Sequence, residues 1–267
     1  MKSYHIKIYF ALLPLFLFFS CQEITKEETK KKTDVELAGF SGKVKTVKQD
    51  TYQAIHQFEE IIPGERSKSE EDNYVIAYDE NGMQTGKSYF NPDSSLKSKY
   101  SFSRDEKGRI TEQNRFGSDG NNESKTTYKY DSTGNLVELN EYNHDGTLES
   151  RITAGYDEKG NETEVITYNS AGEVVMKSIS KYDENINKIE WAFFNSDSSL
   201  SGKSTYVYDN RKNVTEAKRF KANGTLLWHY VYKYEYENGK PDGNWIKKTE
   251  FDNGIPTNMT IRSFEYY

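Results

Sequence analysis

A tyrosine-aspartate pair returns along this chain at one fixed interval, and so constant an interval leaves few folds open. Tyr130-Asp131, Tyr156-Asp157, Tyr182-Asp183 and Tyr208-Asp209 follow one another every 26 residues. Tyr78-Asp79 lies two intervals before Tyr130, Arg104-Asp105 falls midway, and Tyr234-Glu235 is a degenerate last copy with a longer turn. A second aromatic keeps the same ruler at Phe90, Phe116, Tyr142, Tyr168, Phe194 and Phe220. A period of this length marks a repeat array, in which each unit buries its surface against its neighbours.

Each unit reads as strand, turn, strand, turn. Asp131-Ser132-Thr133-Gly134 and Asp157-Glu158-Lys159-Gly160 are turn sequences, with Asp binding its own backbone and Gly taking the left-handed position. Asn143-His144-Asp145-Gly146 supplies the second turn. The segments between are short, rich in Thr, Tyr, Val and Ile, and lack a helical period, so they are strands. A four-residue loop at 131–134 predicts Tyr130 opposite Asn135, Tyr128 opposite Val137 and Thr126 opposite Leu139 on an apolar face. Lys125, Thr127 and Lys129 then face Leu136, Glu138 and Asn140 on a wet one. Apolar residues make up only 34% of the chain and mean hydropathy is −0.93, too little for a thick two-sheet sandwich. The expected fold is all-β, a repeat array of antiparallel β-hairpins over residues 44–267, forming a long meander that curls or spirals.

The N-terminus speaks to the compartment. Lys2 and Lys7 bracket the start of an apolar run from Ile8 to Phe19, too short to span a bilayer as a mature helix, so residues 1–20 read as a signal peptide. Phe18-Phe19-Ser20-Cys21 resembles the lipobox of bacterial lipoproteins, which makes Cys21 the lipidation site and the membrane a partner through its lipid. Cys21 is also the single cysteine, so it has no disulfide partner within the chain. Residues 21–43 begin polar and charged and are expected to be a flexible tether. Lys26-Glu27-Glu28 fits either an acidic surface-export signal or a solvated linker. With a net charge of −6, the Lys30-Lys31-Lys32 run makes no nucleic-acid surface.

The Tyr-Asp-x-x-Gly-Asn-Leu run, repeated through about 78–245, resembles the YD repeats of Rhs-type bacterial proteins. That resemblance implies hairpins winding into a spiral or shell, a role in containment or binding, and, by analogy, an association with toxins or immunity to them.

A column of carboxylates, Glu112, Glu138, Glu164, Glu190 and Glu216, keeps the same period and invites a catalytic or metal reading. Equivalent strands of a meander stand roughly 9–10 Å apart, whereas calcium ligands converge to about 2.3–2.6 Å from one ion. A cross-strand charge stripe is the better account. The histidines show no metal spacing, and nucleophile elbows, phosphate loops and Cys/His pairs are missing from the sequence. No cofactor, metal or catalytic residue is therefore expected, and the chain reads as a non-enzyme. Aromatic residues fill 14% of it. Trp191, Phe193, Phe194 and Trp228 stand out as a possible binding surface, with Trp191 and Phe193 on one face and Phe194 on the other. The functional expectation is a lipid-anchored envelope protein, outer-membrane by preference, whose sheet offers a protein or glycan interaction surface. Capture or processing of polysaccharide through exposed aromatics is the alternative.

Overall fold

The computed structural model describes residues 32–69, 71–239 and 243–267. The expected signal peptide and Cys21 lie outside the described residues. A short helix, α1 (Asp34–Leu37), precedes β1 (Val44–Gln57), β2 (Glu60–Arg66), β3 (Tyr74–Tyr78), β4 (Gln84–Phe90) and β5 (Leu96–Arg104). The regular wall comprises β6 (Ile110–Gly117), β7 (Asn122–Tyr130), β8 (Leu136–Asn143), β9 (Leu148–Tyr156) and β10 (Glu162–Asn169). It continues as β11 (Val174–Tyr182), β12 (Lys188–Asn195), β13 (Leu200–Tyr208) and β14 (Val214–Lys221). The chain finishes with β15 (Leu226–Tyr236), β16 (Trp245–Asp252) and β17 (Ile255–Tyr266).

The repeat is held locally by its own motif. Asp131 Oδ1 accepts the backbone N–H groups of Thr133, Gly134 and Asn135, each at 2.8–2.9 Å, and Asn135 Nδ2 donates to Asp131 Oδ2 at 3.2 Å. The same Asp–Asn clasp recurs at Asp157–Asn161, Asp183–Asn187 and Asp209–Asn213. Gly134 takes φ +99°, a region that a side chain disfavours. Two repeats break that rule, with Ile186 at φ +64° and Lys212 at φ +66°.

After each clasp the second strand bulges, and the bulge corrects the expected register. Tyr130 stands opposite Leu136, Tyr128 opposite Leu139 and Thr126 opposite Glu141, with the shift between Lys129 and Tyr130. One extra residue at 136–137 moves Leu136 onto the tyrosine face and sets Glu138 opposite Lys129 instead of Thr127. The bulge also explains the tyrosines. The β6–β7 ladder starts at Glu112↔Thr127, and just beyond it Tyr130 OH donates to Ile110 O at 2.9 Å. Tyr156, Tyr182, Tyr208 and Tyr234 repeat the bond to Leu136, Glu162, Lys188 and Val214, at 2.8–2.9 Å. A phenol thus completes each ladder where the backbone has left it.

An open meander or spiral is not what these hairpins form. β3 to β17 pair in sequence order, β17 pairs with β1, and β1 pairs with β3, so 16 strands close into an antiparallel barrel. The additional strand, β2, folds back on the far half of β1. Closure comes from the β1–β17 pairing, Val47↔Phe264 and Gln49↔Arg262 among others, between residues more than 200 positions apart. Such a pairing leaves no period in the sequence. The YD spacing specifies each hairpin and says nothing about what the first and last strands meet.

Residues 32–43, expected as part of the tether, pack instead on the tyrosine face at the seam. Thr33 caps α1 with a capping box, Val35 is 4% exposed, and it joins Val44, Val47 and Tyr78 in a core that Phe40, Ile76 and Phe264 extend. Asp34 accepts from Arg104 Nη2 at 2.6 Å, and Ser41 exchanges two hydrogen bonds with Asn244.

The two faces differ in chemistry. Tyr128, Leu139 and Ile152 are buried on the inner one, whereas Lys129 and Lys181 on the other have side chains 65% and 67% exposed. Apart from β2 on β1, every substantial strand contact is with a neighbour in the ring. A round barrel of 16 strands measures roughly 30 Å between opposite backbones, and residues 32–43 take up part of that space at the seam.

Candidate functional site

The outward face carries the carboxylate column, and each acid is engaged by a base. Glu112 meets Lys125 at 3.8 Å, and Glu138 meets Lys129 at 2.6 Å and Arg151 at 3.9 Å. Glu190 lies between Lys181 and Lys203, both at 2.7 Å. Glu164 pairs with Lys177, and Glu216 with Lys218 and with His229, the latter at 2.9 Å. Basic partners that hydrogen-bond Glu138 and Glu190 hold both carboxyls below the usual range. This is a solvated ladder, each pair contributing roughly 0–1 kcal/mol. It also bears on the membrane. A barrel that spans a bilayer turns an apolar band outward, and each Lys or Arg at the midplane of that band costs about 2–4 kcal/mol. An outer wall bearing lysines in mid-strand does not fit hydrocarbon. Among the described residues, no group of three or more His, Asp or Glu converges on a possible metal position.

The inward face holds the aromatics. Trp191 pairs with Ser204, Ser204 with Arg219 and Arg219 with Trp228, so these four side chains form one row across β12 to β15. Trp191 and Phe193 lie 4.3 Å apart between ring centroids, Trp228 stacks on Tyr230 at 4.8 Å, and the Arg219 guanidinium covers Phe193 at 3.9 Å. Burial lowers the pKa of Arg219 and raises that of Tyr206, one strand away. Small residues make room for this row. Ser204 within it and Ser178 and Ala217 beside it are buried, and Gly202 lies so close to β14 that an added Cβ would meet Phe220 O at 2.4 Å. Three of the four aromatics singled out in the sequence therefore belong together. Phe194 does not, because its position in β12 points it to the outer face.

Beside that row an ion pair replaces apolar packing. At the position after the Asp turn, three repeats have Ile110, Leu136 and Val214 and the first has Gln84, but two have the charged Glu162 and Lys188, and these meet at 3.4 Å. Glu162 is 8% exposed, its Oε2 has no hydrogen-bond partner, and burial raises its pKa. Lys188 also lies 5.5 Å from the Trp191 centroid. Sequence reasoning missed this pair, although both residues put charge into an otherwise uncharged column at the repeat period. It likewise missed Lys87, Lys248 and Arg262, which occupy the inward phase of β4, β16 and β17. Arg262 alternates with Phe264 and Tyr266 in the inward phase, a signal legible in the sequence once the inward phase is known.

No protein-family model matches the sequence, and no curated protein matches it. Among solved structures, a porin-like protein from Bacteroides uniformis is similar in fold, with TM-score 0.52 and 10% identity over 83% of this chain and 96% of that one. At that identity the likeness concerns the fold alone. The Photorhabdus luminescens Tc holotoxin pore covers 70% of this chain and 14% of its own at 12% identity and TM-score 0.23. An outer membrane lipoprotein-sorting protein domain from Vibrio parahaemolyticus gives 9% identity over 85% and 88%, with TM-score 0.24. Neither score supports an argument about fold.

Proposed function

We propose that this chain is a lipid-anchored protein of the bacterial envelope that binds a glycan inside its barrel and catalyses no reaction. Cys21 supplies the anchor in its lipobox-like setting, and the outer membrane is its address. The repeats make it a short YD-repeat lipoprotein. The polar outer wall suits a barrel that stands beside the bilayer on its tether, and a porin-like protein of similar fold agrees with an envelope setting. The observation that carries the reading is the enclosed Trp191–Ser204–Arg219–Trp228 row, since indole faces are the usual platform for sugar rings and Arg219 adds hydrogen-bond donors between them. The site lies inside, so it is an uptake surface for a slender ligand more than a docking face for a folded protein.

Titration calorimetry of the detergent-solubilised full chain against neutral and acidic oligosaccharides from cell walls and plant fibre tests this. A Kd in the micromolar range is expected for at least one, weakened tenfold or more by Trp228→Ala. Absence of heat with every oligosaccharide would sink the reading.

A further inference from the structure

Farther round the lumen the wall gains cations. Trp228, Tyr230, Tyr232 and Tyr234 share the inward face of β15 and lead from the tryptophan row to β16 and β17. There Lys248 stands opposite Tyr234 and Thr260, and Arg262 stands opposite Gln49. Both cations use one indole. The Arg262 guanidinium lies 3.5 Å from the Trp245 centroid and Lys248 Nζ lies 5.9 Å from it, with Tyr232 5.4 Å from the same Nζ. Arg262 Nε donates to Gln49 Oε1 at 2.9 Å, and that oxygen also accepts from Tyr74 OH at 2.9 Å. Lys87 follows, over the rings of Tyr74 and Tyr89 at 5.0 and 4.6 Å.

Among the described residues, no carboxylate comes within ion-pair distance of Lys248 or Arg262. Glu250 and Asp72 act on Lys248 from farther away. Burial and the neighbouring Arg262 charge both lower the pKa of Lys248, and burial lowers that of Arg262. Two like charges side by side on an enclosed wall repel, and they have lost hydration without gaining a counter-charge. Both side chains keep part of their surface exposed, Arg262 between the rings of Trp245 and Phe40, the latter 5.3 Å from its guanidinium, and that remaining surface is where a ligand would meet them. Aromatic platforms that run up to a pair of unneutralised cations fit a ring-bearing ligand with an acid at one end.

We propose that this sector binds the carboxylate of an acidic saccharide, with Lys248 and Arg262 holding the acid and the β15 aromatics carrying the neighbouring sugar rings. The planar guanidinium suits a carboxylate, and the lysine adds a point charge. The inference rests on the glycan reading above and narrows it to uronic-acid-type ligands.

The test titrates the detergent-solubilised full chain with trigalacturonate, with galactotriose of the same linkage, and with inorganic phosphate. Trigalacturonate should bind at least tenfold tighter than galactotriose. Lys248→Gln should abolish that preference, bringing trigalacturonate down to the affinity of galactotriose, without lowering the melting temperature. Arg262→Gln should act the same way, but it loses packing on Trp245, so Lys248→Gln is the deciding variant. Lys129→Gln, on the outer wall, should change nothing. Equal binding of the two trimers, or an acid preference that survives Lys248→Gln, overturns the inference and leaves the glycan reading standing. If neither trimer binds, the inference falls, and the wider oligosaccharide series decides the glycan reading. If phosphate displaces trigalacturonate at equal concentration, the sector is a bare anion site and the saccharide claim is overturned.

Discussion

The regular wall from β6 to β14 and the seam where β16, β17, β1 and β3 meet are built from the same kind of strand and held by different means. In the wall, every fixed element is local: an Asp–Asn clasp spans four residues, and a tyrosine hydroxyl reaches a carbonyl 20 positions earlier. At the seam the partners are far apart in sequence, as in Thr46 with Glu265 and Tyr267 OH with Tyr78 O. The wall's inward face combines a small apolar core of Ile110, Tyr128, Leu136, Leu139 and Ile152 with Arg219 and the Glu162–Lys188 pair, whereas the seam and the adjoining β4 turn Lys87, Lys248 and Arg262 inward. Local repeats therefore build the container and carry most of the tryptophan row, while the seam closes it and adds the cations that an acidic ligand would meet. Loop-closure entropy falls on the seam, because its contacts close the whole chain into a ring.

The sharpest way to break that comparison is to damage one buried position in each region and ask whether the ring stays closed. Val47 at the seam is 0% exposed and Ile152 in the wall is 2% exposed. Val47→Asp buries an unpaired carboxylate and should cost more than about 4 kcal/mol, with loss of the cooperative urea transition. Ile152→Ala should cost about 2–4 kcal/mol and leave the barrel closed. A closed, cooperative Val47→Asp barrel would show that the wall alone sets the ring.

Next in size is a pH effect confined to the seam. Desolvation holds the Lys87 pKa down to about 8, against an ordinary 10.5. Between those values the unfolded chain binds the proton and the barrel does not, so stability rises with pH across the window; below about pH 8 the penalty is present in full. Lys87→Met should raise stability at neutral pH by about 1–3 kcal/mol and flatten the slope. The difference between variant and parent in urea melts from pH 7.5 to 9 reads this, because the tyrosines titrate alike in both, and an unchanged slope in the variant would assign the effect elsewhere.

Smaller effects probe the wall's bolts. Tyr156→Phe removes the hydroxyl that reaches Leu136 O and should cost about 1 kcal/mol. Ile186, at φ +64°, occupies a position held by glycine in the regular repeats, so Ile186→Gly should stabilise by about 1 kcal/mol. Both can be read from thermal melts. A Tyr156→Phe cost near zero would mean that backbone pairing alone sets the spacing of the units.

Much of the wall was legible because its causes lie within one period. Asp131, Gly134 and Asn135 define a turn, alternation separates Tyr128 from Lys129, and identical units repeat the result. The bulge after Asn135 was not legible: it depends on how two strands share hydrogen bonds beyond the ladder's end, and it reassigned Leu136 and Glu138 to new partners. Trp191, Phe193 and Trp228 were picked out by residue type and share a wall, yet their row through Ser204 and Arg219 needs the register of four strands. Arg262 shares a phase with Phe264 and Tyr266, but only the structure says that this phase faces inward, and nothing local distinguishes Lys248 from an outward lysine.

The sequence by itself determined strand, turn, period and the division into two faces, because each follows from contacts within some 26 residues. Only the tertiary structure decided that the sheet closes, that the aromatic face becomes a lumen, and that residues 32–43 pack against the seam. Those outcomes depend on pairing β1 with β17, and a contact across more than 200 residues is fixed by the geometry of the whole ring, to which no single repeat holds the key.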